Sequence, residues 1–222
     1  MYEEQIQAVI RAHKMLHETG KDVLDNSLIV LRADSGNYIV RVRNRFQNDL
    51  DAMQIFVVNR DGITADGKKI DLDLRFFVDV KMLERYDWMN CVVNSTMKYS
   101  TIWNQSEVAL PPLSTIHAKY FFGEVPVSAP INYTRGDSFV DVVSQEVLEV
   151  LRYGNPKKCR GMFVPKVDTI IWGESLDEAV ELALALESLA EHAWEVAKES
   201  NGCMRYLPYA LVDEVYREYH KE

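Results

Sequence analysis

Residues 162–187, MFVPKVDTIIWGESLDEAVELALALE, decide the fold of this chain. Their first part is an apolar run that predicts one buried strand over 162–172, or two strands interrupted at Pro165, because proline cannot donate to a sheet. Ser175 and Glu178 then form the S-x-x-E pattern of a capping box, which satisfies free amide groups at the start of a helix. A strand that leads directly into a long capped helix predicts a layered α/β structure.

The same alternation of helices and strands extends outward to both ends of the chain. Apolar residues at helical spacing predict helices, and short runs of β-branched and aromatic residues predict strands. The predicted helices are 2–19, 74–86, 138–152, 175–200 and 211–219, and the further predicted strands are 27–32, 38–42, 53–59 and 90–93. No internal repeat or linker-like stretch interrupts this order, so we expect one α/β domain over residues 1–222.

The composition is that of an ordinary globular protein with an acidic balance. Hydrophobic residues make up 47% of the chain, and 34 acidic against 25 basic residues give a net charge of −9. An acidic chain without a basic cluster is a poor partner for nucleic acid or an anionic membrane, although a local pocket can still be basic. The cysteines form no C-x-x-C pair, and we find no apolar leader and no membrane span, so we expect a cytoplasmic protein.

Three stretches, in the same order, resemble the class II aldolase/adducin family. They are Ser35–Arg41 (SGNYIVR), 87–104 (DWMNCVVNSTMKYSTIWN) and 163–187, and they are similar to S-G-N-x-S-x-R, R-P-D-V-N-A-V-V-H-T-H-P-P-Y-A-T-A and L-L-x-N-H-G-x-x-x-x-G-x-x-L-E-E-A. The segment 110–127 continues the second stretch in the style of the family. The resemblance implies a three-layer α/β/α sandwich with a mainly antiparallel central sheet.

The resemblance also implies assembly into a homo-oligomer, most simply a tetramer with sites between subunits. The aromatic residues Trp103, Tyr120, Phe121 and Phe122 add to this expectation, because a large exposed apolar surface needs a partner to cover it.

Active members of the family bind a divalent metal through three histidines and use a carboxylate as acid/base. Here the histidine positions fall on Asn94, Thr96 and Val167, with Asp168 at the glycine of N-H-G, and the glutamate position falls on Arg75. Valine has no lone pair, asparagine and threonine are poor zinc ligands, and an arginine repels a cation. We therefore expect no metal, no other cofactor and no standard metal-dependent aldolase reaction.

Glycines and basic residues are the candidates for ligand binding. The Gly36-Asn37 turn and Gly62 match residues that the family uses beside a phosphate or carboxylate, although a plain β-turn explains the turn as well. Arg75, Lys98 and Lys166 fall at or beside the former metal and acid/base positions, and they line an anion pocket if they converge. Otherwise they reach solvent or pair with aspartates. The full set of ligand-binding candidates is Gly36, Asn37, Gly62, Asn94, Thr96, Lys166 and Asp168.

Four residues are candidates for catalysis: Lys98, His117, Arg75 and Tyr219. A desolvated lysine can act on a carbonyl compound, and His117 lies in a segment that the family places near its cleft. Tyr219 is the best match to a tyrosine in the C-terminal tail of aldolases. A half-buried histidine and an aromatic residue in helix packing are the structural alternatives.

Two functions follow from these observations. The first is a family member that has lost the metal-dependent reaction and serves as a binding or assembly protein, as the adducin head does. The second is a metal-independent lyase or related enzyme that acts on a small anionic carbonyl or sugar-phosphate compound. A filled cleft favours the first function, and an open cleft lined by polar groups favours the second.

Overall fold

One antiparallel sheet forms the middle of the molecule. The computed structural model describes residues 2–34, 36–42 and 54–221. In that part of the chain the strands are β1 (Leu28–Asp34), β2 (Asn37–Val42), β3 (Gln54–Asn59), β4 (Cys91–Ser95), β5 (Gly161–Val164) and β6 (Asp168–Gly173). They pair in the order β3-β2-β1-β4-β6-β5, and each neighbouring pair is antiparallel. Ser35 of the SGN motif and Met53 of a predicted strand lie outside the described residues.

The helices cover both faces of this sheet. They are α1 (Glu3–Glu18), α2 (Leu74–Arg85), α3 (Lys98–Asn104), α4 (Thr115–Tyr120), α5 (Phe139–Tyr153), α6 (Leu176–Glu199) and α7 (Tyr209–His220). The predicted helices correspond to α1, α2, α5, α6 and α7. The sequence did not reveal α3 and α4, because helices of seven and six residues are too short to show a clear period.

Alternating side chains of the strands divide the interior into two cores. In β4, Cys91 and Val93 face the core that α1, α3 and α6 cover, whereas Val92 faces the core that α2 and α5 cover. The same alternation runs through the neighbouring strands, because successive side chains of a strand point to opposite faces. The result is the expected three-layer α/β/α sandwich with an antiparallel sheet.

The decisive stretch folds as two strands and a capped helix. Residues 165–167 join β5 to β6, and Lys166 takes a left-handed conformation with φ of 63°. The Ser175 hydroxyl accepts a hydrogen bond from the Glu178 amide, as the capping box predicts. Gly173 lets the helix start close to the strand, since a Cβ there would lie 2.9 Å from the Ala179 nitrogen.

The starts of β1, β6 and α2 lie on the same side of the sheet as the ends of β2 and β4. Leu28 at the start of β1 pairs with Asn94 near the end of β4, and Ser95 pairs with Thr169 at the start of β6. The end of β2 and the start of α2 reach the same side. The β1–β2 turn, where Asp34 pairs with Asn37, lies at the opposite end.

The aromatic residues expected at a subunit interface are covered within the chain. Trp103 and Phe121 are buried, and Phe122 packs edge-on against Tyr209 and Tyr216 of α7. One argument for an oligomer is thereby removed, because the core covers Trp103 and Phe121, and α7 packs against Tyr120 and Phe122. Among the described helices, none combines the length and apolar character needed to cross a membrane.

Candidate functional site

A cavity of about 650 Å³ opens at the sheet end where β1 starts and β2 stops. Its walls come from residues 25–28, Arg41 and Val42, residues 71–75, and residues 166–168, with Thr96 and Phe139 completing them. The cavity is therefore built from segments that are distant in sequence and that the antiparallel sheet brings to one end.

The Arg75 guanidinium makes four hydrogen bonds in the cavity wall. Its Nη1 donates to Asp168 at 2.6 Å, and its Nε and Nη2 donate to the two oxygens of Asp73 at 3.1 and 2.8 Å. Nη2 also donates to the Asn26 carbonyl oxygen at 3.1 Å. Asp73 is the N-cap of α2 and accepts the Arg75 backbone amide as well. One guanidinium thus links α2, β6 and the turn before β1.

Two buried carboxyl groups accompany this arginine. Burial raises the pKa of Asp168 to about 7, although Arg75 acts to lower it. Burial also raises the pKa of Asp79 well above its usual range, and a hydrogen bond from the Asn94 amide at 2.6 Å acts to lower it. The charge of Arg75 is therefore matched by Asp73 and, when it is ionised, by Asp168, whereas burial favours the neutral form of Asp79.

A second ion pair lies in the wall of the cavity. Arg41 Nη1 donates to Asp25 Oδ1 at 3.0 Å, and Nη2 donates to the other oxygen of the same carboxylate. Burial acts to raise the pKa of Asp25, but the Arg41 pair lowers it overall. Leu24 and Asp25 both take left-handed conformations, which are strained for residues other than glycine.

The candidate positions for metal ligands are engaged in other contacts. The Asn94 amide binds Asp79, and the Thr96 hydroxyl donates to Asp22 at 2.7 Å. Val167 lines the cavity with an apolar side chain. Within residues 2–34, 36–42 and 54–221, no three or more His, Cys, Asp or Glu side chains are grouped so that they could hold a metal ion.

The structure brings together only part of the predicted basic set. Arg75 and Lys166 line the cavity together with Thr96 and Asp168. The Lys166 side chain is 75% exposed and pairs with Glu107 at 2.8 Å. Lys98, at the start of α3, is exposed beside the Tyr99 ring and is not among the residues that line the cavity. The three basic residues therefore do not converge on one point.

The glycine candidates lie away from the cavity. Gly36 and Asn37 form the β1–β2 turn at the far end of the hairpin, where Asn37 donates to Asp34 at 2.9 Å. Gly62 lies in a turn after β3, where a Cβ would come within 2.9 Å of Leu72. These glycines shape turns in the described structure, and the expectation that the Gly36-Asn37 turn shares the cleft with Arg75 is wrong.

The other two catalytic candidates also lie elsewhere. His117 is buried in α4, its Nε2 lies 2.7 Å from the Gly123 carbonyl oxygen, and burial lowers its pKa to about 4. Tyr219 lies on α7 beside Tyr120, with the Lys119 ammonium 4.2 Å from its ring centroid. Of the four catalytic candidates, Arg75 alone lines the described cavity.

Several residues of the site were not selected from the sequence. Asp25, Arg41, Asp73 and Asp79 carry the ion pairs and the buried carboxyl group described above. Asp73 did carry a signal, because an Asp-x-Arg pattern before an apolar helical run is a good N-cap. The role of Asp25 has no such signal, since it depends on pairing across a hairpin.

The fold and the cavity define an α/β/α domain with a polar small-molecule-sized cleft at one end of an antiparallel sheet. Residues 7–194 match the sequence model of the class II aldolase and adducin N-terminal domain, and the chain belongs to this family.

Solved structures share this fold at low sequence identity. L-fuculose 1-phosphate aldolase superposes with a TM-score of 0.73 at 13% identity, over 96% of this chain and 95% of that chain. An aldolase II superfamily protein from Pseudomonas syringae gives 0.72 at 14% identity, over 97% and 84%. L-fuculose 1-phosphate aldolase from Glaciozyma antarctica PI12 gives 0.69 at 14%, over 97% and 80%. At such identities the likeness establishes the fold alone.

Proposed function

We propose that this protein has lost the metal-dependent reaction of its family and acts as a binding or assembly protein. The observation that carries the proposal is the state of the three positions that the resemblance assigns to metal-binding histidines. The Asn94 amide and the Thr96 hydroxyl donate hydrogen bonds to Asp79 and Asp22. The side chain of Val167 has no lone pair with which to bind a metal.

These residues do not fit a divalent metal. A catalytic zinc site uses about three imidazole, thiolate or carboxylate ligands, and none of the three positions supplies one. Arg75 places a fixed positive charge among the nearest carboxylates, Asp73 and Asp168. A metal would have to displace this guanidinium, which is itself held by four hydrogen bonds.

Elemental analysis tests this proposal. The protein, purified without chelator, should contain well below one equivalent of zinc, manganese, iron or cobalt per chain. A matched variant with Asn94→His, Thr96→His, Val167→His and Arg75→Glu restores the family residues and serves as the comparison. Added zinc should raise the melting temperature of this variant and leave that of the natural protein unchanged. A stoichiometric metal held by the natural side chains would contradict the proposal.

A metal-independent lyase is the second candidate function. The open cavity favours it, because a pocket of this size with polar groups on its walls suits a small molecule. Among the catalytic candidates, the cavity position of Arg75 leaves it as the residue to orient an anionic carbonyl or sugar-phosphate substrate. Cleavage of a panel of sugar phosphates and keto acids, assayed with EDTA present, tests this candidate. Activity that survives EDTA and is lost with Arg75→Gln would favour the enzyme over the binding protein.

The proposal extends to the organisation of the protein in the cell. We infer one domain over residues 1–222, a cytoplasmic location and a homotetramer. Exposed aromatic side chains on and before α7, Tyr206 at 53% and Tyr209 at 66%, support an interface between copies. Light scattering should give four times the 25.6 kDa chain mass at micromolar concentration. A monomer at that concentration would contradict the tetramer without affecting the proposal about the metal.

A further inference from the structure

The Asp168 carboxylate occupies the position at which an incoming anion would meet Arg75. Asp168 Oδ2 accepts from Arg75 Nη1 at 2.6 Å, and both residues line the cavity. The Asp168 side chain is 3% exposed, so it is held against the guanidinium within the wall of the cavity. A carboxylate of the protein thus makes the charge-assisted contact that a ligand carboxylate or phosphate would make.

The two carboxylates on Arg75 are held differently. Asp73 accepts two hydrogen bonds from Arg75, caps α2 and is 43% exposed. Solvent and the backbone amide of α2 therefore help to stabilise its negative charge. Asp168 makes one contact with Arg75, and its other oxygen accepts the Thr169 amide at 3.1 Å. Ionised Asp168 is also repelled by Asp73. Asp168 is therefore the partner that Arg75 loses more easily.

We propose that Asp168 is an internal occupant of an anion site centred on Arg75, and that the site accepts a small dianion when the negative charge of Asp168 is removed. This inference rests on the binding role in the proposed function, and it names a small dianion as the class of ligand for the cavity. Binding changes no covalent bond: the external anion takes over the contact with Arg75 Nη1, while Asp73 and the Asn26 carbonyl keep the guanidinium in place.

Sulfate is the probe for this site, because it remains a dianion across the neutral range. Asp168→Asn is close to isosteric, keeps an oxygen for the Thr169 amide and removes the charge. At pH 8, where most of the natural protein has Asp168 ionised, we expect this variant to bind sulfate about tenfold more tightly than the natural protein, as measured by calorimetry, since a full charge-assisted contact becomes available. Circular dichroism and thermal unfolding confirm that each variant is folded.

Asp71→Asn is the matched control. Asp71 lines the same cavity, and among the described residues it makes no ion pair with Arg75. Asp71→Asn therefore changes the net charge as much as Asp168→Asn does, but it leaves the contacts of the guanidinium in place. We expect its sulfate affinity to stay within about twofold of the natural protein. The double variant Arg75→Gln/Asp168→Asn should lose the gain of the single Asp168 variant.

Each result decides the question. An equal gain with Asp71→Asn would show a general charge effect and overturn the inference, as would sulfate binding by Asp168→Asn that is no tighter than that of the natural protein. If the natural protein binds sulfate through Arg75 and Asp168→Asn adds nothing, the ligand cavity stands and the internal-occupant role fails. If none of the proteins binds sulfate, both the anion site and this inference fail, whereas the loss of the metal is tested separately by elemental analysis.

Discussion

The Asn94 side-chain amide donates to the Asp79 carboxyl group at 2.6 Å, with both residues buried between β4 and α2. The other Asp79 oxygen has no hydrogen-bond partner within the part of the chain that the structure describes. This contact joins β4, which carries Asn94 and leads into Thr96, to the helix that carries Arg75. Asn94 therefore has a structural partner in the place where the family resemblance puts a metal ligand.

Removal of Asn94 should destabilise the protein through Asp79. Asn94→Ala leaves a buried carboxyl group without its partner, which costs about 2 kcal/mol. Asp79→Ala removes the group that needs the partner, so the double variant should cost about 1–2 kcal/mol less than the sum of the single variants. Urea unfolding of the four proteins measures this coupling. Strictly additive costs would show that the two side chains do not depend on each other.

Asp168 should make the stability fall as the pH rises toward neutrality. Burial raises its pKa to about 7, above the ordinary value of 3.8, so the folded protein binds this proton more tightly than the unfolded chain does. The stabilisation is complete below pH 4 and is lost as the pH rises through 7, with a slope of at most about 1.4 kcal/mol per pH unit. Asp168→Asn should lack this component. The free energy of unfolding of the natural protein, minus that of the variant, should decrease from pH 5 to pH 8, and a constant difference would contradict the assignment.

His13 should act in the opposite direction. Burial, assisted by Arg41, lowers its pKa to about 3, and neither ring nitrogen has a hydrogen-bond partner among residues 2–34, 36–42 and 54–221. The folded protein therefore resists protonation, so stability is lost as the pH falls below the ordinary value of 6.5. His13→Leu should raise the free energy of unfolding by about 1–2 kcal/mol at pH 7. On acidification to pH 5, this variant should lose less stability than the natural protein does. His17→Gln, on the exposed side of the same helix, should change stability by less than about 0.5 kcal/mol.

Replacement of Lys166 by glycine should raise the stability of the protein. Its φ of 63° is strained for a lysine, and its pair with Glu107 is largely exposed. Lys166→Gly should stabilise the protein by about 0.5–1 kcal/mol, because the relief of backbone strain exceeds the loss of a surface ion pair. Lys166→Ala keeps the strain and also loses the pair, so it should give no gain. Thermal unfolding of the three proteins separates these effects.

The sequence was sufficient for the layers of the fold. The capping box at Ser175, the proline that divides β5 from β6, and the alternation of apolar residues in the strands are local signals, and the structure contains each of them. The family resemblance then supplied the antiparallel arrangement, which local patterns leave open. It also directed attention to Arg75 and Asp168, which do meet at the cavity.

The sequence was not sufficient for the placement of the site. Gly36-Asn37 matches a family pattern by its letters, but pairing of Asp34 with Asn37 puts that turn at the far end of the sheet. The left-handed residues that line the cavity are Asp25 and Lys166, neither of which is a glycine, so no residue type marked them. Glu187 gave no signal either, although its buried carboxylate accepts two backbone amides at the start of α3. Contacts of this kind depend on segments far apart in the chain.

The pairing of Arg41 with Asp25 gives the cavity wall a closed outline. These residues are 16 positions apart, at the two open ends of the β1–β2 hairpin, and the turn closes its other end. The hairpin is therefore closed at both ends, by the turn at one end and by the Arg41–Asp25 ion pair at the other. The ion pair, and not the turn, borders the cavity. Widening this wall would separate Arg41 from Asp25. Because the Arg41 side chain is 8% exposed in the closed pair, dissolved salt screens this ion pair weakly until the two residues have separated.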